Sequence, residues 1–339
     1  MADGQRTPRQ DPSTSLGEDI LDSIPLRFLV GTTASGKSGL ALKLGEHPAV
    51  RAGGGIEVVS LDSMNVYRGL DIGTAKPSQE ERARLRHHLI DVADPWERFD
   101  LQSYLFLVRK ACAGIVARGA TPLFVGGTGL YLAALVRGLL EGPAADIELR
   151  ERLQRESESG AAPPLHERLA EVDPESAERI HPNDTRRTLR ALEVWVQTGS
   201  TMTSLQAQWG AEPSERERRA LIVGLEVPEE QRDARIRART EAMLSAGWPE
   251  EALALAEGRG LGDSASQALG YDTALALGRG EVEREAAAEL IALRTRQFAR
   301  RQRTWYRKFP VQWFDATAPD LVERALAGLG LVSPGAGPA

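Results

Sequence analysis

Apolar positions along this chain follow two alternating rhythms. Short, nearly continuous apolar runs have the length of buried strands: Leu26-Arg27-Phe28-Leu29-Val30, Ile56-Glu57-Val58-Val59-Ser60-Leu61, His88-Leu89-Ile90-Asp91-Val92, Pro122-Leu123-Phe124-Val125, Ala220-Leu221-Ile222-Val223-Gly224-Leu225 and Val311-Gln312-Trp313-Phe314. Helical spacing fills the gaps, as in Leu40-Ala41-Leu42-Lys43-Leu44 and a stretch near 101–118. This alternation predicts a mostly parallel sheet with helices on both faces, and ligands at the carboxyl ends of the strands. Between about 146 and 217 the strands stop. Asp146 is placed to cap a helix over 147–159 ended by Gly160, and Pro163-Pro164 open another. His181-Pro182-Asn183-Asp184 break the chain before a helix through Gln197 that Gly199 closes. The expected organisation is an α/β core of 23–145 and 218–330, with a C-terminal basic helix and an all-helical insertion over 146–217. Polar tails are expected at 1–22 and 331–339.

Composition narrows the classes. The 339 residues are enough for a full core and a second lobe. Lys+Arg 42 against Asp+Glu 48 gives a net charge of −6, so contact with a nucleic acid must come from local basic patches. The single cysteine, Cys112, sits in the helical pattern Val108-Arg109-Lys110-Ala111-Cys112. It excludes an intrachain disulfide and a multi-cysteine zinc site, and it fits a small core residue in a reducing, cytoplasmic setting. No apolar run approaches the roughly 18 residues of a membrane span. Residues 1–22 lack the apolar block of a signal peptide.

The chemistry concentrates where strands end. After the first run comes Gly31-Thr32-Thr33-Ala34-Ser35-Gly36-Lys37-Ser38, which is G-x-x-x-x-G-K-S between a strand and a helix. That context makes it a P-loop, in which backbone N–H groups and a helix N-terminus surround a phosphate, Lys37 supplies a cation and Ser38 offers a hydroxyl to Mg²⁺. Spacing alone suits ATP and leaves open which phosphate compound is held. Asp62 closes the second strand, where a carboxylate could bind a metal or accept a proton, or simply cap a turn. Gly126-Gly127-Thr128-Gly129-Leu130-Tyr131 puts Thr128 at another strand end, beside a ligand or as the cap of a tight turn.

From Arg294 to Lys308 the last long helix carries seven basic residues and no acid. At about 100° per residue, Ile291, Thr295, Phe298, Gln302, Trp305 and Phe309 form its expected core seam. Arg296, Arg300, Arg303 and Arg307 form one flanking stripe, and Arg294, Arg301 and Lys308 the other. A run of one sign is often a solvated face, but in an acidic chain two such stripes point to a polyanion. Arg186, Arg187 and Arg190 form a smaller cluster in the insertion. There Glu193, three residues past Arg190, offers an ion pair instead.

These segments together resemble the tRNA dimethylallyltransferase (tRNA isopentenyltransferase) family. The resemblance covers Gly31 to Ser38 and Asp62-Ser63-Met64-Asn65-Val66-Tyr67-Arg68-Gly69 running on through Gly73-Thr74-Ala75-Lys76-Pro77. It continues with His87-His88-Leu89-Ile90-Asp91, Gly126 to Tyr131, His181 to Asp184 with Arg187 to Val194, Ala268-Leu269-Gly270-Tyr271 and Arg301-Gln302-Arg303-Thr304-Trp305-Tyr306. The matches run in order from about 27 to 315. They imply a P-loop, nucleotide-kinase-like fold whose loop, Gly31 through Ser38, holds dimethylallyl diphosphate rather than ATP, with Mg²⁺ at Ser38. They also imply transfer of the prenyl group to the N6 amine of the adenosine just 3′ of the anticodon. By that resemblance Asp62 is the base and Thr128 its partner at the target nucleotide. Asp62, Ser63, Met64, Asn65 and Thr128 meet the tRNA, as do Arg150 and the segment Arg186, Arg187, Thr188, Leu189, Arg190.

Two positions depart from the pattern. Thr32 stands where the family usually has Pro, and Asn65 where Gln is usual. No cysteine follows Cys112, so the chain is similar to the shorter bacterial form, which lacks a C-terminal zinc finger. A monomer is expected. Rival readings are prenyl transfer to a free adenine nucleotide, a P-loop kinase using ATP, and an RNA-binding nucleotide switch.

Overall fold

The computed structural model describes residues 19–138, 142–207 and 212–332. Its centre is a six-stranded sheet of β1 (Arg27–Gly31), β2 (Ile56–Leu61), β3 (His87–His88), β4 (Thr121–Gly126), β5 (Leu221–Glu226) and β6 (Gln312–Asp315), in the order β3-β2-β4-β1-β5-β6. Every pairing is parallel. Strands covered on both faces can be apolar throughout, which is why their sequences show no alternation. Leu29, Val58, Leu123, Val223 and Phe314 face the helices Lys37–Glu46 and Leu321–Gly328 through Leu40, Leu44, Ala325 and Leu326. Phe28 and Phe124 stack one strand apart, with centroids 4.9 Å from each other. The helix Leu101–Ala117 reaches the sheet through Tyr104, whose hydroxyl donates to the Ser60 carbonyl at 2.9 Å. Cys112 on that helix is fully buried, and burial pushes its thiol up to about 12. At neutral pH it is a packing group rather than a nucleophile.

Five of the six expected strands appear within a residue or two. The exception is the run at 88–92, which yields only His87–His88. Leu89 and Asp91 have φ of 61° and 57°, in the left-handed region that no strand accommodates. Asp91 is held there by its own contacts. Its amide donates to Asn65 O at 3.2 Å, and its carboxylate accepts from Lys76 at 2.7 Å and Arg82 at 2.7 Å. The expected N-terminal tail is also shortened. Residues 1–18 lie outside the described residues, but Asp19 caps a short helix, Ile20–Ser23, and pairs with Arg109 at 3.0 Å. At the other end, Leu331 and Val332 pack against the core, and 333–339 lie outside the described residues.

The chain forms two compact units, one running to Leu132 and resuming at Arg219, the other Ala133–Arg218. The second unit begins ahead of 146 because it takes up the last turn of the helix Gly129–Arg137, whose Arg137 clasps the buried Glu217 at 2.7 Å. Within this unit the helices Ile147–Glu158, Leu165–Val172, Pro174–Arg179 and Thr185–Thr198 enclose Leu149, Leu153, Leu169 and Leu192. Asp146, Asp173 and Asp184 each cap a helix through a side-chain oxygen.

The centre of this unit is ionic. The Glu193 side chain is fully buried, and it accepts from Arg150 at 2.7 Å, from Arg190 at 2.5 Å and from the Asp146 amide at 2.5 Å. Burial alone would raise its pKa, but these three donors outweigh it and hold the carboxyl below its ordinary value of 4.5. A carboxylate held low when folded stabilises the fold above its unfolded value and loses that contribution as pH falls through the folded value. Glu193→Gln is therefore expected to cost about 1–3 kcal/mol near neutrality. It should also lose less stability than the parent between about pH 5 and pH 3. Urea unfolding at several pH values checks both; parallel pH curves for the two proteins would contradict the assignment.

Candidate active site

At the carboxyl end of the sheet the first unit encloses a cavity of about 570 Å³. The P-loop forms one wall. Gly31, with φ of 151°, turns the chain where a Cβ would meet Ser35 Oγ at 2.7 Å and Leu225 O at 3.0 Å. Lys37 and Ser38 open the helix Lys37–Glu46, and both line the cavity. The Lys37 ammonium folds back to donate to Gly31 O at 2.9 Å and Thr32 O at 2.8 Å. Thr33 also lines the cavity, whereas the Ser35 side chain is buried with its hydroxyl unpartnered among the described residues.

Opposite stands the loop after β2. Asp62 Oδ1 accepts from the amides of Met64 at 2.8 Å and Asn65 at 3.3 Å, so the turn-capping role and the chemical role coexist: the turn uses only one of the two oxygens. Gly127 N and Thr128 N both donate to Leu61 O, at 3.1 and 3.0 Å, and Ser63 N donates to Thr128 Oγ1 at 3.1 Å. These three bonds dock the turn after β4 onto the end of β2 and bring Thr128 beside Asp62. Ser63, Met64 and Asn65 complete that wall, and Asn65 Oδ1 is buried with no hydrogen-bond partner among the described residues. A buried acceptor left in this state carries a desolvation cost that a donor in the cavity would relieve.

Arg239, which belongs to no motif, and Gln302, from the segment Arg301 to Tyr306, complete the site. Arg239, from the helix Glu229–Ser245, lines the cavity and lies 3.5 Å from Thr33 Oγ1. Burial lowers its pKa from the ordinary arginine value, and the Asp62 carboxylate opposes that shift. Sequence gave no reason to choose it among the basic residues of a helix with a mixed polar face. Gln302, 5% exposed, accepts from Thr33 N at 2.8 Å and donates to Gly127 O at 3.1 Å, bridging the P-loop and the Thr128 turn.

The expected seam of the basic helix, Arg284–Tyr306, is rotated. Ala292, Ala299 and Tyr306 share the buried face with Ile291 and Gln302, and Phe298 is 37% exposed at the cavity. Alanines carry little weight in an apolar periodicity, which is why the larger Phe298 was assigned inward. Of the two stripes, Arg303 pairs with Glu226 at 2.7 Å and Arg300 lies 3.5 Å from Glu229. On the other side Arg294 pairs with Asp272 at 2.6 Å, and Arg294 and Arg301 line the cavity.

The remaining expected tRNA contacts lie in the second unit. There Arg150 and Arg190 hold Glu193, and Arg187 lies 3.5 Å from Asp184. Arg186 is exposed, whereas Thr188 and Leu189 are buried, so their side chains belong to that unit's interior. The ion pair expected as the alternative for Arg190 is present.

A sequence model described as IPP transferase matches residues 65–309. The chain belongs to the IPP transferase family. This IPP transferase is 44% identical to the tRNA dimethylallyltransferase of Symbiobacterium thermophilum, over 89% of this chain and 92% of the relative. It is also 44% identical to that of Anaeromyxobacter dehalogenans, over 84% and 92%. Among solved structures it is similar to the tRNA isopentenylpyrophosphate transferase of Bacillus halodurans, with 34% identity, a TM-score of 0.61 and coverage of 90% and 96%. It is likewise similar to a eukaryotic dimethylallyltransferase acting on tRNA, with 26% identity, a TM-score of 0.70 and coverage of 89% and 77%. Among the described residues no helix is long and apolar enough to cross a membrane.

Electrostatics make the P-loop lysine sensitive to its ligand. Burial first, and then the Arg239 cation, pull Lys37 down to about 7 against the attraction of Asp62. An anion placed between the two cations would restore the charged form, so binding must take up a proton wherever free Lys37 is neutral. Uptake on diphosphate binding should approach roughly 0.9 proton near pH 8 and fall to about 0.1 near pH 6, after subtracting the Lys37→Met protein as baseline. Calorimetry in buffers of different ionisation enthalpy measures it. Equal uptake by parent and variant at both pH values would refute the assignment.

Proposed function

We propose that this enzyme transfers a dimethylallyl group from dimethylallyl diphosphate to the N6 amine of the adenosine at position 37 of tRNA, next to the anticodon on its 3′ side. The products are N6-dimethylallyladenosine and diphosphate. The observation that carries this reading is one cavity in which an IPP transferase brings together the P-loop cation Lys37, the carboxylate of Asp62 and the hydroxyl of Thr128. The lone pair of the amine attacks C1 of the donor; the N6–C1 bond forms as the C1–O bond breaks, and the pair in that bond leaves on diphosphate. The amine's lone pair is delocalised into the purine, so removing its proton as the bond forms lowers the barrier. Asp62 takes that proton. Thr128, tied to the Ser63 amide, positions the nucleotide, and Asn65 offers its unpartnered oxygen to a base edge. Charge gathering on diphosphate is met by the loop amides, Lys37 and Arg239.

The site suits Mg²⁺. Ser38 lines the cavity and its hydroxyl would hold the ion, with Asp62 left as the base, and no cluster of three His, Cys, Asp or Glu exists among the described residues to build an all-protein cage. That partial shell matches an ion that keeps waters and shares substrate phosphate oxygens. Bound there, Mg²⁺ would neutralise the leaving diphosphate. The target adenosine must leave the loop stack to reach the cavity, and the anticodon stem-loop is the expected partner. In the second unit the exposed Arg186 and Arg187 are the candidate contacts to RNA phosphate.

Asp62→Asn is a clean test, because an amide oxygen can still accept from Met64 N and Asn65 N. It is expected to lower kcat by at least about a hundredfold while RNA affinity stays within a few-fold. A variant with near-normal kcat would remove Asp62 from the chemistry. The donor is tested separately with labelled dimethylallyl diphosphate and labelled ATP offered with undermodified tRNA and with AMP. Prenyl transfer to the tRNA alone is expected; γ-phosphate transfer in step with turnover would replace this reading with that of a kinase.

A further inference from the structure

The basic helix presents two aromatic rings seven residues apart, and they are used differently. Trp305 is occupied: it packs on Gly129, where a Cβ would lie 2.8 Å from its Cγ, and Lys308 sits over its ring at 4.8 Å. It anchors the turn that carries Thr128. Phe298 lies about 10 Å back along the helix axis. It is 37% exposed and lines the cavity that holds Asp62 and Thr128. Its neighbour Arg301, one turn on, is exposed, lines the same cavity and holds its guanidinium over one face of the Phe298 ring, 5.7 Å from the centroid, so that a base would stack on the opposite face. Arg300 and Arg303 on the far side of the helix face Glu229 and Glu226, and Arg294 pairs with Asp272. Among the described residues Arg301 has no carboxylate within ion-pair distance, so its charge remains available at the cavity.

An exposed ring beside an available cation, next to a site that accepts an unstacked nucleotide, is the combination that binds single-stranded nucleic acid. The ring supplies a stacking face and the cation meets the backbone. We infer that Phe298 and Arg301 form a binding site for a nucleotide neighbouring the target adenosine, with its base stacked on Phe298 and its phosphate at Arg301. Flipping the target out of the loop leaves its neighbours with an uncovered base face, and Phe298 replaces the stacking partner they lose. This rests on the tRNA reading above and specifies which part of the RNA that helix holds.

The test uses the full-length protein and an anticodon stem-loop carrying 2-aminopurine on either side of the target position. Phe298→Ala is expected to weaken RNA binding by roughly 5- to 150-fold, the range for losing one base–aromatic stack. It should also abolish the 2-aminopurine quenching seen with the parent, while leaving the KM for dimethylallyl diphosphate unchanged. Phe298→Tyr should restore both affinity and quenching. Arg301→Gln should make the slope of log K against log salt shallower by about 0.7, the value for one single-strand phosphate contact. Phe298→Ala should leave that slope alone.

Parent-like affinity and quenching in Phe298→Ala would overturn the site. So would an affinity loss that Phe298→Tyr fails to rescue, or a raised donor KM, since either marks a structural effect. If the parent protein itself neither binds nor prenylates the stem-loop, the tRNA reading fails and the stacking site fails with it. Prenylation intact with no dependence on Phe298 or Arg301 removes the stacking site alone.

Discussion

One buried side-chain amide ties the two loops of the site together where the sheet ends. Gln302 takes an N–H from the P-loop and gives one to the Thr128 turn, both within 3.1 Å, from a position 5% exposed. The P-loop and the Thr128 turn follow adjacent, paired strands, β1 and β4, with Val30 opposite Gly126, and beyond that last pair both loops leave the sheet. A primary amide donates and accepts at once in one plane, so Gln302 continues the tie between the two loops past the last strand pair. Because Gln302 sits on the basic helix, the same element sets the spacing of the two loops and presents Phe298 and Arg301 at the cavity. The Gln302 bridge, Phe298 and Arg301 thus share one helix.

The loop carrying Asp62 needs support of another kind, because after β2 the chain leaves the sheet for most of the way to β3. Two ionic clamps replace the missing ladder. Lys76, its side chain 1% exposed, donates to Tyr67 O at 2.6 Å and to the carboxylates of Asp71 and Asp91 at 2.5 and 2.7 Å. From the other side Glu251 accepts three successive amides, Asp71, Ile72 and Gly73, and the Tyr271 hydroxyl at 2.6 Å. A buried ammonium and a carboxylate in an amide nest each cost desolvation that only full coordination offsets, and here both are fully engaged. The positive φ at Ala75, Leu89 and Asp91 falls in the same loops. Backbone strain in such regions persists only where surrounding contacts over-determine it, which places the clamps and the strain in one device.

Much of this was legible in the sequence where a residue type has one efficient use. The P-loop spacing, the Asp at a strand end and the glycines before Thr128 each name their geometry, and the apolar runs located five of six strands. What sequence did not reveal are the interactions that join distant segments. Arg239 looks like any solvated arginine until the Glu229–Ser245 helix places it against Thr33. Gln302 was assigned inward by periodicity, yet nothing local indicates its two partners. His88-Leu89-Ile90-Asp91-Val92 reads as a strand because its composition is that of one, and only the cations of Lys76 and Arg82 explain why it bends. Phe298 reads as a core residue when hydrophobicity is equated with burial. That inference runs one way only: a large exposed apolar group at a cavity is the informative case.

The distribution of charge explains how an acidic protein can hold a polyanion. Had all the cations of the basic helix faced solvent, they would attract RNA along the whole helix and reward any register. Instead acids of the fold pair with two of the four arginines in the stripe pointing away from the cavity, Arg303 with Glu226 and Arg300 near Glu229, and Asp272 takes Arg294. Inside the second unit Glu193 likewise fixes Arg150 and Arg190. Carboxylates placed this way subtract attraction everywhere except where a phosphate should lie, and they orient the arginines that remain. A net charge of −6 is then compatible with holding a polyanion, because acids paired with arginines weaken attraction on that side of the helix while Arg301 keeps its charge at the cavity.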